Sequence, residues 1–309
     1  MTYLHPISTA LLATDSSISS ELNWRFDNLA VEMETADRTL WCRLNPLVRP
    51  SFTSALLTDL HRVQRLIGQL AARSGPGQAR ALNWVVLGSS VPGIFNLGGD
   101  LTLFCEKIRN SDREGLRRYA HSCIEVSYRN ATGYDQNVVT IGLAQGDALG
   151  GGFESLLSCD VLIAERRSRF GLPEILFNLF PGMGAHCFLT RRLGAGAAER
   201  MIMSGKVYSA EEMHAAGVVD ILAEDGAGDD VVRDYIRRNG PRHNAHAAIH
   251  QARRRVSPVS LEALRDVTDI WVDAAMELTE QDLRRMTHIV AAQDRSRRRT
   301  APVGVAATP

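Results

Sequence analysis

The first part of the chain shows two hydrophobic periodicities. Residues 29–44, LAVEMETADRTLWCRL, alternate apolar and polar positions on both sides of ADR, which predicts a β-hairpin with one buried face. Residues 52–73 instead repeat apolar side chains every three or four positions, at Leu56, Leu60, Val63, Ile67 and Leu70. This spacing predicts an amphipathic helix, and the following SGPG predicts its end.

Three later segments are short, rich in β-branched residues and bounded by turn residues. They are WVVLGS at 84–89, VVTIGLAQG at 138–146 and VLIAE at 161–165, and each predicts a buried strand. Helical patterns lie between them, at about 100–130 and 151–159. The alternation of strands and helices predicts a parallel sheet with crossover helices, which is an α/β fold.

From Gly194 onward the pattern becomes almost entirely helical, with turn residues between the segments. The predicted organisation is an N-terminal extension over residues 1–24, a core domain over 25–193 and a helical C-terminal region over 194–292. Residues 293–309 are basic at their start and lack periodicity, which predicts a flexible, solvated tail.

Composition narrows the class of protein. The 309 residues are 45% apolar and carry 35 basic against 35 acidic side chains, so the overall charge gives no reason to expect nucleic acid or an anionic membrane as a partner. Five scattered cysteines without CxxC spacing argue against a disulfide framework and a zinc site, and favour a reducing cytoplasm. No segment has the features of a signal peptide or a membrane span, so we expect a cytoplasmic protein without membrane insertion.

The segment GDALGGGFE at 146–154 places three glycines between a strand and a short apolar helix. Glycines allow positive φ angles and close approach of a ligand to backbone N–H groups at a helix start. A phosphate loop is one alternative, but no GK[ST] follows the glycines. A tight strand-to-helix turn without a ligand is another.

A second glycine turn, GIFNLGGDL at 93–101, follows the strand WVVLGS. If the two turns end adjacent parallel strands, each can direct one amide at the same oxygen atom, which is the construction of an oxyanion hole. Downstream, RFGLPEILFNLFPGMGA places Glu174 in an almost wholly apolar segment. Because burial and a neighbouring carboxyl both shift a carboxyl pKa, Glu154 and Glu174 are the candidate acid–base pair.

These motifs together resemble the crotonase superfamily, the enoyl-CoA hydratases and isomerases. FNLGGDL, ALGGGFE and FGLPEILFNLFPGMG match its G-x-D, GGG-x-E and G-x-PE…PG-x-G patterns, and Glu154 and Glu174 stand twenty residues apart, as in its hydratases. Within the superfamily, FNLGGDL, LFC and IWVDAAMEL resemble most closely the bacterial diffusible-signal-factor synthases. Hydratases usually carry smaller residues at Leu97 and Phe153, and Gly-Thr-Gln where this chain has AHCF.

The resemblance implies a crotonase-like ββα superhelix with a helical C-terminal region. It assigns catalysis to Glu154 and Glu174 and an oxyanion hole to the amides of Leu97 and Gly151, with Gly98 as the alternative first donor. It also implies the substrate-binding residues Gly98, Gly150, Met183, Trp271 and Ile289. For the last three, which would line an acyl pocket, ordinary core packing is the alternative interpretation.

The resemblance also implies a reaction and partners. Such synthases dehydrate a 3-hydroxyacyl chain on acyl carrier protein to a cis-2-enoyl thioester, then hydrolyse the thioester and release an unsaturated fatty acid used as a quorum-sensing signal. No cofactor or metal is implied. A homotrimer or hexamer is expected, and a sensor kinase or other regulatory receptor is a further implied partner. The alternatives are an ordinary enoyl-CoA hydratase or isomerase and a non-catalytic regulator on the same fold.

Other polar clusters have simpler interpretations. Asp100 and Asp147, beside the glycine turns, are more often helix caps or turn formers than acids. A metal face on the histidines of HNAHAAIHQARRR lacks an acidic ligand, and a solvated helix face is favoured for the nearby arginines over a patch for a carrier protein or its phosphopantetheine phosphate. These residues are His243, His246 and His250, and Arg237, Arg238, Arg242, Arg253, Arg254 and Arg255.

Overall fold

The computed structural model describes residues 25–73 and 80–300. Its larger sheet consists of β1 (Leu29–Glu34), β2 (Thr39–Leu44), β3 (Trp84–Ser89), β5 (Val139–Ala144), β7 (Val161–Glu165) and β10 (Ile221–Ala223). The strand order is β1-β2-β3-β5-β7-β10, and every pair is parallel except the β1–β2 hairpin, in which Leu29 faces Leu44 and Glu34 faces Thr39. The predicted hairpin and parallel sheet are confirmed.

A smaller sheet lies beside the first one. It consists of β4 (Gly93–Asn96), β6 (Gly146–Leu149), β8 (Arg169–Gly171) and β9 (Val207–Ser209), in the order β4-β6-β8-β9. The strands β4, β6 and β8 are parallel and follow β3, β5 and β7 along the chain, so each large-sheet strand continues into a small-sheet strand. Because a helix follows each such pair, the chain forms the expected ββα repeat.

The helices connect and cover the two sheets. They are α1 (Ser54–Ala72), α2 (Leu101–Arg109), α3 (Arg113–Thr132), α4 (Gly151–Leu157), α5 (Ala185–Leu193), α6 (Ala195–Ser204), α7 (Ala210–Ala215), α8 (Gly228–Asn239), α9 (His243–Val256), α10 (Leu261–Met276) and α11 (Glu280–Thr300). Helix α1 confirms the predicted amphipathic helix, because its apolar stripe is buried and Thr53 caps its first turn through Leu56 N. The SGPG turn lies outside the described residues.

The large sheet is buried on both faces. One face, with Leu40, Cys42 and Val85, belongs to the main core, which also contains the apolar stripes of α1 and α3. The opposite face packs Trp41, Trp84 and neighbouring strand residues against Val232 and Ile236 of α8 and Ala247 of α9. Two-sided burial explains why β3, β5 and β7 are continuous apolar runs rather than alternating ones.

The helical C-terminal region is confirmed, and it also contributes β9 to the small sheet and β10 to the large sheet. The last helix continues to Thr300, so the tail predicted from residue 293 is helical in its first part. The N-terminal extension and residues 301–309 lie outside the described residues.

The division into domains stays a prediction. All five cysteines have free thiols. None of the helices in the described ranges combines the length and the apolar character that crossing a bilayer would require.

Candidate active site

An apolar cavity opens where β4 and β6 end. The two strands are parallel neighbours, with Asn96 opposite Ala148, so the glycine turns that follow them lie side by side as predicted. Glu154, Glu174 and the glycines of both turns line the cavity. Its volume is about 50 Å³, below the roughly 300–1,000 Å³ of typical ligand pockets. A ligand larger than this volume must therefore displace side chains as it enters.

Glu154 lies in the first turn of α4 and is 1% exposed. Its Oε1 accepts hydrogen bonds from the amides of Met183 at 2.7 Å and Ala185 at 2.9 Å. Burial raises the pKa of Glu154 from 4.5 to about 7, and the two amides oppose this rise because they stabilise the carboxylate. The PG-x-G segment thus supplies the donors that fix this side chain.

Glu174 lies in the 3₁₀ turn Pro173–Phe177, directly after β8, and is half-buried. Its Oε2 is buried and has no hydrogen-bond partner among the described residues. Burial raises the pKa of Glu174 well above 4.5, and the nearby Glu154 raises it further. The raised pKa values favour the protonated form of a carboxyl in this pair, and the amide donors favour the charge on Glu154.

The three consecutive glycines are required by close contacts. Gly150 has a φ of +50°, and a Cβ there would lie 2.5 Å from Oε1 of Glu174. A Cβ on Gly151 would lie 2.3 Å from Sδ of Met183, and one on Gly152 would lie 2.2 Å from the carbonyl oxygen of Asn96. The glycines bring the start of α4 against the second carboxyl and against the other turn.

Both candidates for the first oxyanion-hole donor have acceptors within the protein in this structure. The amide of Leu97 donates to the carbonyl oxygen of Pro50 at 2.7 Å, and the alternative, the Gly98 amide, donates to Oδ1 of Asn96 at 2.8 Å. The Gly99 and Gly151 amides donate to no atom within residues 25–73 and 80–300, and both glycines line the cavity. They form the available pair. Sequence could locate the turn but could not establish which of its peptide groups faces inward.

The predicted pocket residues line the cavity. Met183, Trp271 and Ile289 reach it from the PG-x-G segment, α10 and α11, and Leu97, Gly98 and Gly150 also line it. Trp271 lies flat against Gly182, where a Cβ would be 2.5 Å from its ring, and meets Phe104 edge-on with centroids 5.1 Å apart. These contacts fix the indole as a wall of the cavity.

Part of the cavity wall was not predicted from the sequence. Tyr119 and Cys123 of α3, and Phe177 and Leu179 after Glu174, also line the cavity. Their apolar spacing and neighbourhood predict burial, but nothing in the sequence separates a cavity wall from ordinary core at these positions.

The two aspartates beside the turns have structural partners. Asp100 caps α2, because its Oδ1 accepts from the amides of Thr102 and Leu103. Asp147 forms an ion pair with Arg169 at 2.6 Å. Neither lines the cavity. The cap interpretation is confirmed for Asp100, whereas Asp147 lies within β6 and is neither a cap nor a turn residue.

Some histidines and arginines of α8 and α9 form hydrogen bonds or ion pairs with other residues of the protein. His243 faces the carbonyl oxygen of Asn83, and His250 lies 3.9 Å from Asp160. Within the described residues, no group of three or more His, Cys, Asp or Glu could hold a metal ion. Arg253 and Arg254 pair with the buried Asp160 at 2.6 and 2.5 Å, and their side chains are 46% and 14% exposed, so a solvated face fits Arg253 but not Arg254. The docking patch stays a prediction.

Comparisons with known proteins agree with this geometry. The enoyl-CoA hydratase/isomerase family model matches residues 75–290. The 2,3-dehydroadipyl-CoA hydratase of Escherichia coli K12 is 34% identical over 132 residues, which are 41% of this chain and 50% of that protein. The fatty acid oxidation complex subunit alpha of Pseudomonas syringae pv. tomato is 32% identical over 153 residues, which are 50% of this chain and 21% of that protein. The matched part therefore spans half or less of these curated relatives.

Solved structures share the fold. The enoyl-CoA hydratase of Bacillus halodurans has a TM-score of 0.72 at 20% identity, covering 85% of this chain and 99% of that one. Human mitochondrial delta3-delta2-enoyl-CoA isomerase has a TM-score of 0.69 at 18% identity, covering 87% and 98%. Pseudomonas aeruginosa DspI has a TM-score of 0.57 at 23% identity, covering 89% and 97%.

Proposed function

Because this chain belongs to the enoyl-CoA hydratase/isomerase family, we propose that it is a diffusible-signal-factor synthase. It dehydrates a 3-hydroxyacyl chain carried by acyl carrier protein to a cis-2-enoyl thioester and then hydrolyses that thioester. The observation that carries the proposal is that Glu154 and Glu174 line one apolar cavity together with Gly99 and Gly151, whose amides have no acceptor among the described residues.

The first step needs one base and one acid. The amides of Gly99 and Gly151 donate hydrogen bonds to the thioester carbonyl oxygen and stabilise the enolate that forms when a carboxylate removes the α-proton. The other carboxyl, in its protonated form, gives its proton to the departing 3-hydroxyl, which leaves as water. The raised pKa values of both carboxyls and the two amides that donate to Glu154 fit this division of work.

The second step uses the same groups. A carboxylate accepts a proton from a water molecule, and the water oxygen adds to the carbonyl carbon while the two amides stabilise the tetrahedral oxyanion. The carbon–sulfur bond then breaks, and the departing thiolate of the carrier takes from the carboxyl the proton that the water gave up. The products are a free cis-2-unsaturated acid and the carrier protein.

The acyl chain needs an apolar surface that excludes water. Phe104, Trp271 and Ile289 provide one within the cavity, and apolar walls with few convergent polar groups are typical of sites for apolar ligands. The motifs FNLGGDL and IWVDAAMEL and the AHCF segment support the synthase over a hydratase, because they resemble the signal-factor synthases.

A second candidate function is hydration of an enoyl-CoA. The names of the curated relatives favour it, since one is a 2,3-dehydroadipyl-CoA hydratase and another a fatty acid oxidation complex subunit. The carboxyl pair suits this reaction as well, because addition of water is the reverse of the dehydration above.

One experiment separates the candidates. The purified protein is incubated with 3-hydroxydodecanoyl-acyl carrier protein and, separately, with crotonyl-CoA, and the products are identified by mass spectrometry. A free cis-2-enoic acid from the first substrate supports the synthase, and hydration of crotonyl-CoA alone supports the hydratase. Turnover of neither substrate would favour a non-catalytic regulator that binds a sensor kinase or another receptor.

The roles of the glutamates are tested by Glu154→Gln and Glu174→Gln. We expect each to lower kcat by about a hundredfold or more, because each removes one partner in proton transfer. Asp147→Asn is the matched control, since Asp147 belongs to the same GDALGGGFE segment but pairs with Arg169 outside the cavity. Full activity in both glutamine variants would refute the proposed mechanism.

A further inference from the structure

The turn between β4 and α2 leaves one amide beside the cavity without an acceptor among the described residues, while the amides next to it donate hydrogen bonds to protein atoms. Leu97 N donates to Pro50, Gly98 N donates to Asn96, and Asp100 N donates to the Tyr119 hydroxyl at 3.0 Å. In the described part of the chain, the Gly99 N–H has no such acceptor. The Gly99 amide is therefore the free donor because the amides on both sides of it are bound to other acceptors.

Asn96 is the side chain that holds the amide directly before the free one. It ends β4, is 0% exposed and accepts the Gly98 N–H with its own Oδ1 at 2.8 Å, which forms an Asx-turn. Its backbone carbonyl also faces the second glycine turn, where a Cβ on Gly152 would lie 2.2 Å away. One residue thus contacts both turns that supply the amides.

The Asn96 side chain is costly for a residue with only a packing role. Its Nδ2 is buried and unpartnered among the described residues, and an unpaired buried donor loses its hydration without compensation. An apolar side chain of similar size would avoid that cost, but it would leave the Gly98 N–H without its acceptor. The presence of asparagine at position 96 therefore points to a requirement on the conformation of the turn.

We propose that Asn96 is a positioning residue for the oxyanion hole. It fixes the Gly98 amide away from the cavity and so orients the next peptide group, whose N–H at Gly99 faces the thioester carbonyl. The inference rests on the proposed thioester chemistry. Because Gly98 has a φ of +96° and no side chain to restrain it, this turn depends on hydrogen bonds to hold one peptide orientation.

The test compares Asn96→Ala with Asn96→Ser. Alanine removes the acceptor, whereas serine retains an oxygen that can form the weaker equivalent turn. We expect Asn96→Ala to lower kcat by about 10- to 100-fold with KM changed by less than about threefold, because the lost interaction acts in the transition state. Asn96→Ser should recover part of kcat.

Asn130→Ala is the matched control. Asn130 is also a buried asparagine, with bonds to Gln64, Ser158 and Tyr134 outside the active-site cavity. Its replacement should reduce stability without changing the ratio of kcat to KM. If Asn130→Ala lowers kcat as much as Asn96→Ala does, the effect is generic destabilisation and the inference is wrong.

A second measurement does not depend on catalysis. Hydrogen–deuterium exchange is followed in the peptide spanning residues 95–101, where Asn96→Ala should convert one protected amide to a fast-exchanging one and Asn96→Ser should restore protection in part. Unchanged exchange in Asn96→Ala would overturn the inference. If wild-type protein converts neither thioester, the proposed function fails, while exchange still decides whether Asn96 holds the turn.

Discussion

Glu154 and Glu174 carry the same chemical group, but their hydrogen-bond partners differ. Two amides donate to Glu154, whereas one oxygen of Glu174 has no partner among the described residues. Burial raises both pKa values, and the proximity of Glu154 raises that of Glu174 further. Two carboxyls whose pKa values are separated by their environments can serve as base and acid at the same pH.

The pH dependence of kcat/KM follows from these directions. At low pH both carboxyls are protonated and no base is available, so activity should rise with pH up to about 7, where Glu154 ionises. At higher pH Glu174 also loses its proton and activity should fall, because no acid remains. The measurement is kcat/KM across pH 5 to 10. A profile without an acidic limb would contradict the raised pKa of Glu154.

Gly150 offers a sharper test of packing in the site. Gly150→Ala places a methyl group 2.5 Å from Oε1 of Glu174, so we expect kcat to fall by about a hundredfold. The control is Gly217→Ala, because Gly217 also has a positive φ, +80°, but nothing lies within 4 Å of its Cβ position. It should cost about 1–2 kcal/mol of stability and leave kcat unchanged. Similar kcat values in both variants would show that backbone strain alone matters.

At the scale of elements, long periodic segments were predictable and short ones were not. The hairpin β1–β2 and helix α1 follow from residue patterns that tertiary packing reinforces. Strands β9 and β10 have three residues each, too few for a periodicity, and they exist because an adjacent strand supplies hydrogen bonds. The orientation of the Leu97 amide depends on Pro50, 47 positions earlier, and no local pattern reports it.

Helix α11 bears on chain-length preference. It brings Ile289 to the cavity, while the adjacent Val290 lines a separate surface groove beside α2. We expect Ile289→Trp to fill space near the acyl chain and shift the preferred substrate to shorter chains, whereas Val290→Trp should leave the preference unchanged. The measurement is kcat/KM for 3-hydroxyacyl-carrier substrates of 8 to 14 carbons. Equal profiles for the two variants would contradict this placement of α11.

At the scale of the whole molecule, an exposed apolar patch borders the active site. Ile175 and Leu176, next to Glu174, are 44% and 58% exposed, and Met203 and Val207 are 70% and 43% exposed. A Cβ on Gly205 would lie 2.7 Å from Ile175 and 3.3 Å from Leu176, and Gly205 lies between Met203 and Val207 in sequence. Contiguous exposed apolar surface commonly marks an interface, and the resemblance to crotonases implies a trimer or hexamer.

We therefore predict that copies of this chain associate through that patch. We expect the unmodified protein to sediment as a trimer or hexamer and the double variant Leu176→Arg and Met203→Arg to sediment as a monomer, because burying two unpaired charges is unfavourable. Val256→Arg, at a residue 87% exposed and far along the chain from the patch, is the control and should keep the assembly. Since Leu176 shares the 3₁₀ turn with Glu174, dissociation should also lower kcat. A monomeric wild-type protein, or an assembly that survives both arginines, would place the interface elsewhere.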